Sequence, residues 1–187
     1  MNLTRRGVLA AAAATVTTGP VLAAPPRVVT IPREWLPTEI NVNEALPAGQ
    51  VHVRIAQNKL YWTLGDGRAI RYVVALGAAG RNFAGTAQVA RKAEWPSWTP
   101  TANMIRREPA VYGPYSGGLP GGHARNPLGS RALYLYQNGR DTYYRIHGTP
   151  QPWTMGRKFS SGCVRLINEH VEDLYTRVPV GTTVVVA

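Results

Sequence analysis

Between residues 49 and 187, apolar side chains alternate with polar ones over short stretches that turn residues repeatedly cut off, and this punctuation leaves few folds open. Val51-His52-Val53-Arg54-Ile55 alternates cleanly, Lys59 to Leu64 less so, and Gly65-Asp66-Gly67 turns the chain into Ile70 to Leu76. Thr86 to Lys92, Ala132 to Tyr136, Tyr143 to His147 and Thr182 to Val186 read as further strands, with a hairpin turn at Asn138-Gly139. One helix stands out. Asn168 is its expected cap, Glu169 suits its first turn, and Val171, Leu174, Tyr175 and Val178 recur at helical spacing before Pro179 and Gly181. The pattern predicts a mostly β fold, a β-sandwich or irregular barrel of mixed sheets, with one short helix after Cys163. A chain of 187 residues has room for one such domain with its own core.

The residues before this domain read differently. "MNLTRRGVLAAAAATVTTGPVLAA" has a short basic start, an uncharged run from Gly7 to Ala24 and a small-residue exit, so residues 1–24 are expected to be an export signal. Thr4-Arg5-Arg6-Gly7-Val8-Leu9 resembles the twin-arginine form of such a signal. The alanine-rich run, broken at Gly19-Pro20, is a poor spanning helix, so no membrane anchor is expected and the product is expected to leave the cytoplasm. Residues 25–48 are rich in proline, which rules out a helix or a central strand and predicts an extended leader across the domain surface. Residues 49–187 form the expected folded domain.

The formal net charge is +11, and losing the signal would remove only the two positive charges of Arg5 and Arg6. Such a balance favours polyanionic surroundings, and export argues against nucleic acid among them. The single cysteine, Cys163, has no partner for an internal disulfide. An odd thiol in an oxidising compartment is buried and inert, or it is used.

Its neighbours favour use. A nucleophilic thiol needs a base or positive field, a pair of donors for an oxyanion, and access. His147 ends a strand on the face shared by Tyr143 and Arg145, opposite Tyr144 and Ile146, and is the candidate base. Arg157, Lys158 and Arg165 are the expected positive charges, and Ser161-Gly162-Cys163 is the expected tight turn whose N–H groups face one oxygen. These neighbours predict a Cys163 pKa below that of a free cysteine and a hydrogen bond between His147 and the sulfur. The long loop from Tyr112 to Ser130, with His123 inside it, is a functional or disordered segment, and Trp95, Trp98 and Trp153 belong to a groove or to the core. No short ligand spacing links His52, His123, His147, His170 and Cys163, so no metal and no cofactor is expected.

His147-Gly148-Thr149 followed by Ser160-Ser161-Gly162-Cys163-Val164-Arg165-Leu166 resembles the signature of the L,D-transpeptidase catalytic domain, also called YkuD-like. The likeness extends to Gly85-Thr86, Lys92, Pro96, Gly121-Gly122, Asn126-Pro127-Leu128-Gly129 and Gly181-Thr182, covering about residues 49 to 187. Many members have a histidine where Ser161 stands; the serine form suits the periplasmic crosslinking branch. The resemblance implies a peptidoglycan enzyme whose cysteine attacks the carbonyl between a diamino acid and a terminal D-alanine of a stem tetrapeptide. D-alanine leaves, a thioester remains, and an amine resolves it. It assigns Cys163 as nucleophile, His147 as general base and later acid, and the Gly148 carbonyl as the group orienting the imidazole. Ser161, Gly162 and Arg165 are then oxyanion or substrate-binding residues, and the acceptor amine stays open between another stem peptide, a free D-amino acid and a protein lysine. Water as acceptor would instead make an L,D-carboxypeptidase or crosslink hydrolase, with the Tyr112 to Gly122 loop bearing on the choice. A non-catalytic cell-wall binding module is the reading outside enzymes, and an unpaired exported thiol speaks against it.

Overall fold

The computed structural model describes residues 29–43 and 46–187, so the expected export signal at 1–24 lies outside the described residues. Eleven strands and three helices follow in chain order: β1 (Thr38–Asn41), β2 (Val51–Arg54), β3 (Lys59–Gly65), β4 (Arg68–Val73), β5 (Leu76–Gly77), β6 (Gly85–Glu94), α1 (Ala102–Arg107), α2 (Pro109–Tyr112), β7 (Arg131–Gln137), β8 (Arg140–His147), β9 (Lys158–Ser160), β10 (Val164–Arg165), α3 (Asn168–Arg177) and β11 (Thr183–Val186). The fold is mostly β and mixed, as the alternation predicts. Nine strands form one sheet in the order β1-β4-β3-β2-β11-β6-β7-β8-β10, while β5 and β9 pair separately. β2 with β11 and β8 with β10 run parallel; the other neighbours in the large sheet are antiparallel.

Laid flat, nine strands would span roughly 40 Å at the usual strand spacing. Yet Val51, Leu60 and Tyr72 from one half and Leu133, Ile146 and Val164 from the other bury in a single core. The sheet therefore curves around its own apolar face, and α3 fills that face with Val171 and Leu174, both fully buried. The spacing of these side chains and Val178 puts them on one stripe, which is why a 10-residue helix with a polar remainder docks here. Lys92 Nζ reaches across from β6 to donate to the Tyr175 carbonyl at 2.6 Å and so satisfies the end of the helix.

Three details depart from the sequence reading. Asn168 does not cap α3; Ile167 holds that position without a side-chain bond, and the Asn168 side chain is engaged elsewhere. The continuous run expected from Ile70 to Leu76 breaks, because the Ala75 N–H donates to the Arg165 carbonyl and the Leu76 N–H to Arg157, so the chain leaves β4 and starts the second sheet. Two short helices, α1 and α2, follow the proline-broken Trp95 to Pro100 segment, α1 starting where Thr101 Oγ1 accepts from Met104 N. Their weak periodicity over so few residues hid them.

The proline-rich leader contributes β1, an edge strand paired only with β4 within the described residues, and Ile31 and Trp35 pack on a small cluster of Val73, Ala75, Met155 and Ile167. An edge is where proline-flanked strands belong. Among the described residues no helix is long and apolar enough to cross a membrane.

Because α3 docks through so few side chains, Leu174→Ala is expected to cost about 2–5 kcal/mol, as large-to-small changes in packed cores do. Urea denaturation followed by circular dichroism measures it.

Candidate active site

β8 and β10 run side by side in parallel, with Arg165 opposite His147 and Val164 opposite Ile146. Ile146 and Val164 go into the core, which turns His147, Arg165 and Cys163 to the other face. There they line a cleft of about 1800 Å³. Its walls carry Trp95, Trp98 and Trp153 together with Tyr112, Tyr115, Tyr143 and Phe159, so the three tryptophans belong to the groove and not to the core. His123 sits in the exposed loop, accepting at Nδ1 from Arg125 N at 3.1 Å, and does not reach the cleft lining.

His147 is 2% exposed. Its Nδ1–H donates to the Gly148 carbonyl at 2.6 Å, as expected, which leaves Nε2 with a free lone pair. Burial, followed by the charge of Arg165, pushes the imidazole pKa down to about 3, partly offset by the Gly148 bond, so the ring is neutral at neutral pH.

The Gly148 carbonyl is held from behind. Thr149 N–H belongs to the same peptide unit, and it donates to Asn168 Oδ1 at 3.1 Å. In a trans peptide the N–H and C=O point oppositely, so fixing one aims the other. The second lone pair of Asn168 Oδ1 takes Ser130 N–H, also at 3.1 Å, joining two loops at the first residue of α3. A side chain at Gly148 would strike this oxygen, which is why that position has no Cβ. The sequence at Asn168 carries the signal of a helix cap; its partners, 19 and 38 residues away, only the fold supplies.

The turn before the thiol is equally constrained. Gly162 adopts φ +135°, and a Cβ there would run into the Arg81 carbonyl and the Tyr144 ring. Its N–H donates to Ser160 Oγ at 3.2 Å, and that hydroxyl donates to the Cys163 carbonyl at 2.9 Å. The Gly162 N–H, an expected oxyanion donor, is thus engaged in bracing the turn. Ser161 faces the cleft and its hydroxyl bonds the Tyr112 hydroxyl at 2.8 Å, which ties α2 to the turn before the thiol. A second tie joins Arg81 Nη1 to Glu108 Oε1, just before α2, at 2.5 Å.

Two electrostatic expectations fail. Arg157 and Lys158 are exposed and off the cleft, so they do not supply the field at Cys163. Arg145 does, with Arg165, from the strand position opposite the thiol. Nor is the thiol pKa depressed. Cys163 keeps part of its surface, but protein surrounds it closely enough that burial pushes the thiol up, while the Arg145 backbone and the two guanidinium charges pull against it and lose. In this arrangement Sγ donates to the Tyr143 carbonyl at 3.9 Å, and the expected hydrogen bond to His147 is not made. Tyr143 stands in the left-handed region at φ +62°, where Asp141 Oδ1 accepts its N–H at 2.7 Å, so local backbone strain presents that carbonyl. Among the described residues, no three His, Cys, Asp or Glu side chains gather as a metal site.

Residues 48–186 match the family model of the L,D-transpeptidase catalytic domain, YkuD. "Probable L,D-transpeptidase YbiS" of Escherichia coli K12 is 35% identical over 159 residues, 84% of this chain and 48% of its own length. The chain thus spans about half the length of the curated relatives it matches first. Among solved structures, one from Brucella melitensis, named as a probable carnitine operon oxidoreductase, is 45% identical with a TM-score of 0.57, covering 81% of this chain and 93% of its own. An L,D-transpeptidase from Mycobacterium smegmatis shares the fold at 15% identity and a TM-score of 0.55, covering 74% of this chain and 58% of its own.

Two measurements follow from this geometry. Alkylation of Cys163 against pH is expected to rise with an apparent pKa above that of free cysteine, because burial outweighs the two arginines; a midpoint below the free value contradicts that balance. Asn168→Ala leaves two backbone N–H groups without their acceptor and is expected to cost about 1–3 kcal/mol in denaturant unfolding.

Proposed function

The chain belongs to the L,D-transpeptidase catalytic domain family, and from that premise we propose that it is a peptidoglycan L,D-transpeptidase with Cys163 as nucleophile and His147 as general base. The observation that carries the proposal is the neutral imidazole, buried beside the cleft that holds the thiol, with Nδ1 committed to the Gly148 carbonyl and Nε2 left to accept a proton. The name of the Brucella structure points to redox chemistry. The groups gathered here, a thiol, an oriented imidazole and a turn of backbone N–H groups, are those of acyl transfer.

On this reading the resting site is a neutral pair. Substrate entry draws Sγ away from the Tyr143 carbonyl, and Nε2 takes its proton as sulfur attacks the carbonyl between the diamino acid and terminal D-alanine. Cys163 N–H, with Ser161 N–H, receives the oxyanion; Gly162 N–H joins only by leaving Ser160 Oγ. The imidazolium is costly beside Arg145 and Arg165, so it passes its proton promptly to the departing D-alanine amine. Its Nδ1–H bond to Gly148 offsets part of that cost. The thioester then awaits an amine, from another stem peptide or a protein lysine, and His147 takes that proton in turn. Arg165 bears on the thiol and imidazole through its charge. Residues 1–24 act as the export signal, residues 25–48 as the leader and residues 49–187 as the catalytic domain, which assigns the enzyme to the periplasm or cell envelope.

Purified tetrapeptide stems, with and without an amine acceptor, test this by mass spectrometry. Cys163→Ser is expected to abolish the thioester and all products, and His147→Ala to slow acylation by roughly 10²- to 10⁴-fold. The double variant should be no worse than Cys163→Ser, since both residues serve one step. Trimmed stems without crosslinks would identify water as the acceptor; product formation by Cys163→Ser would overturn the mechanism.

A further inference from the structure

The floor of the cleft carries a row of three side chains, of which the chemistry above uses only the charge of Arg145. Arg91 on β6 lies opposite Tyr134 on β7, and Tyr134 lies opposite Arg145 on β8. Directly opposed residues share a sheet face, so the three form one line that ends beside Cys163, the residue before Val164 and hence opposite Arg145. Both guanidinium groups sit on the tyrosine ring, Arg91 at 3.4 Å from its centroid and Arg145 at 4.3 Å. The ring holds the two arginines in place at little further entropic cost.

Their charges are not equally spent. Arg145 gives Nη1 and Nη2 to the two oxygens of Asp141, each at 2.7 Å. Burial works against ionisation of Asp141, yet these bonds hold its carboxyl below the usual range. Arg91 has no carboxylate within ion-pair distance among the described residues; its charge reaches Asp141 only through space, and the residue lines the cleft. Seven arginines and two glutamates line that cleft, and both glutamates are already paired, Glu94 with Arg131 and Glu108 with Arg81.

We propose that Arg91, stacked on Tyr134, is a specificity-determining residue that binds the far carboxylate of a diamino-dicarboxylic acid in the donor peptide, the residue whose carbonyl Cys163 attacks. This rests on the reading of the site as an L,D-transpeptidase. Distance supports the match. The Tyr134 ring, which fixes the Arg91 guanidinium, belongs to the strand two spacings from that of Cys163, about 10 Å. Six carbon–carbon bonds separate the scissile carbonyl from the far carboxylate of such a residue, roughly 8 Å when extended, and the carbon–sulfur and hydrogen bonds supply the remainder. A lysine in that place ends in the same ammonium, which this row repels, without the carboxylate that offsets it.

The test uses three donor tetrapeptides that differ only in their third residue: the diamino-dicarboxylic acid, the same residue with its far carboxyl amidated, and lysine. kcat and KM are measured for the parent protein, Arg91→Gln and Arg91→Lys, and dissociation constants by calorimetry in the Cys163→Ser background. The parent is expected to favour the free acid over the amide and over lysine by about 10- to 100-fold in kcat/KM, the range of one charge-assisted hydrogen-bonded pair. Arg91→Gln should collapse that preference by raising KM for the free acid while easing the repulsion of the far ammonium in the amide and lysine peptides, and Arg91→Lys should restore part of it. A preference that survives Arg91→Gln, or a parent that treats acid and amide alike, overturns the subsite while leaving the transpeptidase reading intact. If no peptide is turned over but the Cys163→Ser protein binds the free acid preferentially and loses this with Arg91→Gln, the subsite stands and the proposed chemistry falls. Equal binding of all three overturns the subsite.

Discussion

The peptide plane between Gly148 and Thr149 is gripped at both edges, its N–H by Asn168 Oδ1 and its C=O by the His147 ring. Behind Asn168 stands α3, seated in the core through Val171 and Leu174 and tied at its far end by Lys92. Apolar packing, which has no direction of its own, is thereby converted into the orientation of one imidazole. The conversion needs an amide oxygen with two lone pairs at the start of a helix and glycine at position 148, since neither a longer side chain nor a Cβ fits between them.

Burial sets the protonation states that follow. A thiolate and imidazolium would have to be stabilised by neighbours, and the neighbours here are the guanidinium groups of Arg145 and Arg165, which favour the thiolate and oppose the imidazolium. The site rests as a neutral pair instead. A protonated thiol is also a slow target for oxidants, which suits a cysteine with no second cysteine to pair with. Around this pair, aromatic rings supply the walls and arginines supply the field, and the two ties from α2 and Glu108 hold one wall against the turn that carries Cys163.

Much of this was present in the linear chain. The alternation in 51–55, 59–64, 86–92, 132–136 and 143–147 determines strands because its period is a property of neighbouring residues, and the Gly65-Asp66-Gly67 and Asn138-Gly139 turns act over two or three residues. The spacing of His147, Gly162 and Cys163 was likewise readable as the signature of a family. The same alternation put Arg145 on the face of His147, although its weight at the thiol emerged only with β10 alongside.

What the tertiary structure decided is the set of relations between distant residues. Asn168 looks like a cap until Ser130 and Thr149 arrive at its oxygen; Gly162 N–H looks free until Ser160 folds back on it; Arg157 and Lys158 look close to Cys163 until the β9 turn points them to solvent. The pKa of the thiol is the same kind of quantity, a balance between desolvation and charge that depends on how closely the sheet, α2 and the turn enclose one sulfur. Periodicity and motif spacing are local and survive in the linear sequence. Burial and field are sums over everything within a few ångströms, and they acquire a value only when the chain has brought those atoms together.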